Sequence, residues 1–166
     1  INPQNELSVL IKDVLEVAKD WGNIPVIAAG GIYTREDIWK YIEMGCAGVQ
    51  MGTRFLATYE SGANQNYKKR LVECREEDIV LASKPGSPCG MIFRVIKQSP
   101  FYQQALRRER DPKCDKGYLL NKGNCTSKYE NEKTFCICNG LLASIDLNNQ
   151  NERELYTVGQ NAYKIQ

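Results

Sequence analysis

The sequence predicts an α/β fold, and three observations within residues 24–55 predict it. Pro25 to Ala29 is a continuous apolar run bounded by turn residues, the pattern of a strand covered on both faces. A double glycine, Gly30-Gly31, follows it directly, and then a stretch with Thr34 placed as an N-cap and Asp37 placed as the acid of a capping box. Gly48-Val49-Gln50-Met51 returns as a second short strand and closes on another glycine, Gly52. Together with the helix expected before them, these segments run helix, strand, helix, strand, which is βαβ architecture.

The first helix is expected over residues 6 to 21. Leu7, Leu10, Ile11, Val14, Leu15, Ala18 and Trp21 follow the three-to-four spacing that puts them on one face. Asn5 is its candidate cap and Gly22-Asn23 its end. The helix opened by Thr34 runs to about Met44, burying Ile38, Tyr41 and Ile42, and Gly45 stops it. Asn66 to Cys74 reads as a further helix with Tyr67, Leu71 and Cys74 inward and a solvated basic face of Lys68, Lys69 and Arg70. Arg75 to Asp78 is a charged turn, its acids solvated rather than catalytic. Ile79 to Ala82 is a short strand, Lys84 to Gly90 a loop, and Phe101 to about Arg110 a helix with Pro100 in its first turn. Residues 111 to 134 are rich in Lys, Asn, Gly and Cys without periodicity, an irregular connection. Phe135 to Ile145 reads as a last helix carrying Leu141 and Leu142, and the tail from Leu155 is polar with scattered apolar residues.

The bulk numbers bound the function. With 166 residues, 42% apolar and 25% charged, the chain reads as a soluble globular protein with a real core. A net charge of +2 gives no special affinity for nucleic acid or membrane. The longest apolar runs are strand-sized, and the opening INPQNELS carries no basic segment followed by an apolar one, so a cytoplasmic protein is expected. The seven cysteines are an odd number without framework spacing, and reduced thiols are the default reading. The chain has no histidine, which removes imidazole as base, acid or metal ligand.

The two glycine turns carry the chemistry. Glycines between a strand and a helix adopt unusual backbone angles and let backbone N–H groups approach a ligand with no side chain in the way. The N-terminus of the Thr34 helix adds a positive dipole end nearby, and Thr53 adds a hydroxyl. Two neighbouring strand-to-loop turns can enclose one phosphate. In (β/α)8 barrels such a site recurs in the loops after the seventh and eighth strands. The alternative is a pair of tight turns with no ligand. The order and type of these elements fit the barrel arrangement.

IPVIAAGGI, then GVQMGTRFLATYES and NYKKRLV, resemble the nitronate monooxygenase family, formerly the 2-nitropropane dioxygenases, which also contains FMN-dependent enoyl-acyl-carrier-protein reductases. SPCGMIFRVI, FCI with LLA, and VGQNAYKI extend the resemblance through the C-terminal half. It implies that the chain is the C-terminal part of a TIM (β/α)8 barrel followed by a mostly helical, partly irregular segment: the last two βα units of the FMN-binding barrel at residues 1–60, a helical and loop segment over its mouth at 61–110, and an irregular and helical, cysteine-containing segment at 111–166. It implies that Gly30 and Gly31 hold the FMN phosphate and that Gln50, Met51, Gly52 and Thr53 form the opposite side of the grip. The implied reaction is oxidation of alkyl nitronates by oxygen, with enoyl-thioester reduction as the alternative and a non-catalytic phosphate-ligand or partner-binding module as a third reading. The family's histidine belongs to an earlier part of the fold, so no catalytic residue is assigned here and the isolated chain is expected to be inactive. A small-molecule substrate is expected, and a homo-oligomer through exposed barrel edges.

Other residues carry weaker signals. Arg54 is expected either on the phosphate or in a structural salt bridge, and Tyr33 either near a ligand or covering the barrel rim. A zinc site would need two close cysteine pairs. Among Cys114, Cys125, Cys136 and Cys138 only the last two are close, so packed thiols are expected and no metal. Cys89 has no activating neighbour in the sequence.

Overall fold

The structure, a computed structural model, describes residues 6–83, 92–107, 120–121, 124–125, 137–147 and 152–165. The chain divides into two compact units, residues 1–55 and 56–166.

The first unit is the expected helix–strand–helix–strand. Helix α1 (Leu7–Asp20) ends on Gly22 and Asn23, both at positive φ (89° and 58°), which turn the chain toward strand β1 (Ile27–Ala29). Asn23 tolerates the left-handed region because it has a short polar side chain. Helix α2 (Arg35–Glu43) carries the capping box in full: Thr34 Oγ1 accepts from the Asp37 N–H at 3.1 Å, and Asp37 Oδ2 accepts from the Thr34 N–H at 2.8 Å. Gly45, at φ +104°, ends it and leads to strand β2 (Gly48–Gln50). The two strands are parallel, with Ile27 opposite Gly48, Ala28 opposite Val49 and Ala29 opposite Gln50.

Ile11, Ala28, Ile32, Tyr41 and Cys46 form this unit's core, with Leu7, Leu15, Ile38, Val49 and Met51 against it. Two expectations need correction. β1 is covered on one face only: Ala28 is fully buried, while Ile27 is 54% exposed. The apolar stripe of α1 is also wider than the surface it covers. Ile11 is buried, but Leu10, Val14 and Trp21 are exposed, because a two-stranded sheet meets only part of a helix.

The second unit begins in the one-turn helix α3 (Thr53–Leu56) and continues into α4 (Gln65–Glu73), whose N-cap Asn64 accepts from the Tyr67 N–H at 2.8 Å. Tyr67, Leu71 and Cys74 are inward, as their spacing predicts. After a 3-10 turn at Glu76–Asp78, strand β3 (Ile79–Ala82) pairs antiparallel with β4 (Phe93–Ile96), a strand absent from the sequence reading. Helix α5 (Pro100–Arg107) follows, then two two-residue strands, β5 (Leu120–Asn121) and β6 (Asn124–Cys125), which pair inside the stretch expected to be irregular. The last helix, α6, is Ile137–Ala143. The expectations for Phe135, Lys84 to Gly90 and residues 108–110 fall outside the described residues.

The tail corrects the sequence reading most. Leu155, Tyr156, Val158 and Ala162 are all buried. The tail lies along β4: the Ile96 N–H donates to the Tyr156 carbonyl, the Val158 N–H donates to the Arg94 carbonyl, each at 3.0 Å, and Val95 bridges Thr157. Tyr156 stacks on Tyr67 with ring centroids 4.7 Å apart. Desolvation pushes both phenols up to about 12, and the buried Tyr67 hydroxyl is satisfied by the Thr157 carbonyl. Leu141 and Ile145 are exposed, while Ile137, Cys138 and Ala143 face inward.

Candidate functional site

The pairing of β1 with β2 sets the site. Their last residues, Ala29 and Gln50, are partners, so the two strands end level and two glycine loops leave side by side. From β1 come Gly30 at φ +116° and Gly31 at φ +71°, angles that any other residue would adopt only under strain. From β2 come Met51, Gly52 and Thr53. Among the described residues, and apart from adjoining ones, no atom lies within 4 Å of where a β-carbon on Gly30 or Gly52 would sit. Open space over two neighbouring backbones is what a bound anion needs.

The surroundings fix these loops. Ile32, directly after Gly31, is 6% exposed and anchors its loop in the core. Tyr33 donates its N–H to Asp37 Oδ2 at 2.9 Å, so one carboxylate oxygen serves both Tyr33 and Thr34. Two amides at the entrance of α2 are therefore satisfied from within the helix.

The expected site residues fall into three kinds. Gly30, Gly31 and Gly52 offer backbone. Gln50 is exposed at the strand end, with its side chain available. Met51 is packed against the core, and Thr53 opens α3. Arg54 differs from the salt bridge considered for it. Among the described residues its partners are both on Tyr33: Nη1 donates to the Tyr33 carbonyl at 2.7 Å, and the guanidinium carbon lies 4.7 Å from the Tyr33 ring centroid. The sequence named both residues but offered no signal that they meet across 21 positions.

Cys46, Cys74 and Cys138 are buried thiols, and burial pushes the Cys46 and Cys74 thiols up, away from the nucleophilic thiolate. Cys89, Cys114 and Cys136 lie outside the described residues.

Comparison with known proteins agrees with this geometry. The family model described as nitronate monooxygenase matches residues 2–166. A protein of Staphylococcus saprophyticus described as a probable nitronate monooxygenase is 46% identical over 61 residues, 37% of this chain and 17% of that protein. Its counterpart in Staphylococcus haemolyticus is 39% identical over 80 residues, 48% of this chain and 22% of that protein. Among solved structures, FabK from Thermotoga maritima superposes with a TM-score of 0.60 at 27% identity, covering 95% of this chain and 42% of its own. The chain thus spans less than half the length of each of these proteins. Its α/β architecture is that of the C-terminal part of a (β/α)8 barrel with a further C-terminal segment. A family match over residues 2–166, carried on a parallel βαβ unit with its paired glycine loops, means that the chain belongs to the nitronate monooxygenase family.

Proposed function

We propose that this chain is the phosphate-anchoring part of an FMN-dependent oxidoreductase that oxidises alkyl nitronates with oxygen. The observation that carries the reading is the level ending of β1 and β2, from which the Gly30 and Gly52 loops leave at neighbouring strand ends with open space at each glycine. A phosphate monoester there is reached from both loops, by the Gly30-Gly31 backbone on one side and by Gly52 and Thr53 on the other. A bound flavin supplies the electron-transfer chemistry; the protein's share is placement and charge environment. Positive φ at Gly30 and Gly31 turns the β1 loop, and Ile32 keeps that loop from following the ligand away from the sheet. Gln50 stands at the strand end, where its amide reaches toward the same bound molecule.

The exposed face of the sheet fits the same reading. Ile27 and Ala29 point away from the helices, and in a full-length family member that face would be covered by other barrel strands. No acid, base or nucleophile is assigned within these 166 residues, so the reacting group is proposed to lie elsewhere in the whole protein. The test uses a protein of the relatives' length that carries this chain. It should purify with FMN bound and consume oxygen when given propane-2-nitronate. A protein free of flavin, or one that ignores the nitronate and instead oxidises NADPH with an enoyl thioester, would refute the proposed reaction.

A further inference from the structure

We infer that Arg54 is a positioning residue that locks the two glycine loops at a fixed separation, acting through Tyr33 rather than through the phosphate. The inference rests on the phosphate reading above and adds what holds the two loops in shape. Arg54 stands two residues beyond Gly52, and Tyr33 two residues beyond Gly31. The contact between them therefore spans the gap between the loops at the same step from each glycine.

The contact has two parts. The Nη1–H donates to the Tyr33 carbonyl at 2.7 Å, a short charge-assisted hydrogen bond. The guanidinium carbon also lies over the Tyr33 ring, 4.7 Å from its centroid, within cation–π range. Tyr33 is held from its other side as well, since its N–H donates to Asp37 Oδ2 at 2.9 Å. Backbone N–H, backbone carbonyl and ring of one residue are each engaged, and the next residue toward the glycines, Ile32, is buried. The β1 loop is thus pinned at its far end by α2 and tied across to the β2 loop by Arg54. Pre-setting the loops removes an ordering cost that would otherwise fall on ligand binding.

Lysine cannot reproduce this arrangement. An ammonium carries the charge but has no planar fork to stack on a ring while donating in plane to a carbonyl. A direct phosphate contact would tolerate that exchange far better, because lysine binds phosphate well as a point charge.

The experiment compares the unmodified chain with Arg54→Lys, using FMN titration and amide hydrogen exchange of residues 30–34 without ligand. Arg54→Lys should weaken FMN binding by roughly tenfold, the loss of one charged hydrogen bond. In the same variant, exchange at Gly31 to Thr34 should accelerate in the ligand-free chain while α4 keeps its protection. FMN affinity equal to that of the unmodified chain overturns the inference. So does weakened binding with unchanged exchange in the β1 loop, because the loss would then not come from loop order. If the unmodified chain binds FMN no better than riboflavin, the phosphate reading fails on its own. The clamp then stands or falls by hydrogen exchange alone.

Discussion

Gly31 at φ +71° and Gly30 at φ +116° hold backbone angles that a β-branched residue cannot share without strain. Gly31→Val is therefore expected to distort the β1 loop and abolish flavin retention in a full-length protein. Flavin at full occupancy in that variant would remove Gly31 from the site. Asp78 makes a different residue-level prediction. The Lys97 ammonium at 2.8 Å, the Arg75 N–H and the Gln98 amide hold its carboxyl down from the ordinary 3.8 to about 2. A depressed carboxylate stabilises the fold above its unfolded value and loses that contribution as pH falls through the folded one. Acid unfolding followed between pH 5 and pH 2 should show stability falling below about pH 4, and Asp78→Asn should flatten that slope. Equal slopes in the two proteins would contradict the assignment. The sequence left Asp78 among solvated acids, because its partner Lys97 lies 19 positions away. The capping box of Thr34 and Asp37 was legible because it obeys a local three-residue rule.

Elements formed by local pattern were read well, and elements formed by distant pairing were not. β1, α2, β2 and α4 carry their own capping, glycine and periodicity signals. β4 has none: Phe93 to Ile96 becomes a strand by pairing with β3 and accepting residues 156–158 along its other edge. The tail is similar, since Leu155, Tyr156, Val158 and Ala162 are buried without following a helical or strand period. Its attachment gives a sharp prediction in α6. A β-carbon on Gly140 would lie 2.8 Å from Phe101 Cδ2 and 3.1 Å from Leu155 Cβ, closer than packed atoms tolerate. Gly140→Ala should cost about 1–3 kcal/mol by overpacking, although alanine is the better helix former. Urea unfolding measures it, and a variant as stable as the original would show that α5, α6 and the tail are loosely packed.

Over the whole molecule, two features were visible from composition and order alone: an α/β chain and a pair of glycine loops one βα unit apart. The open face of β1 was not, because a continuous apolar run reads the same whether or not strands cover its second side. That exposed Ile27 face and the match to longer relatives support one account: this chain brings the phosphate end of a flavin site and leaves the reacting end to the rest of the protein. The central claim is therefore about phosphate and is tested without catalysis. The melting temperature of the chain is measured with saturating FMN and with riboflavin, which has the same ring system and no phosphate. Binding at a hundredfold excess over the dissociation constant adds about 2.7 kcal/mol, so FMN should raise the midpoint by several degrees, with riboflavin leaving it in place. Equal shifts with the two flavins, or no shift with FMN, would contradict the account.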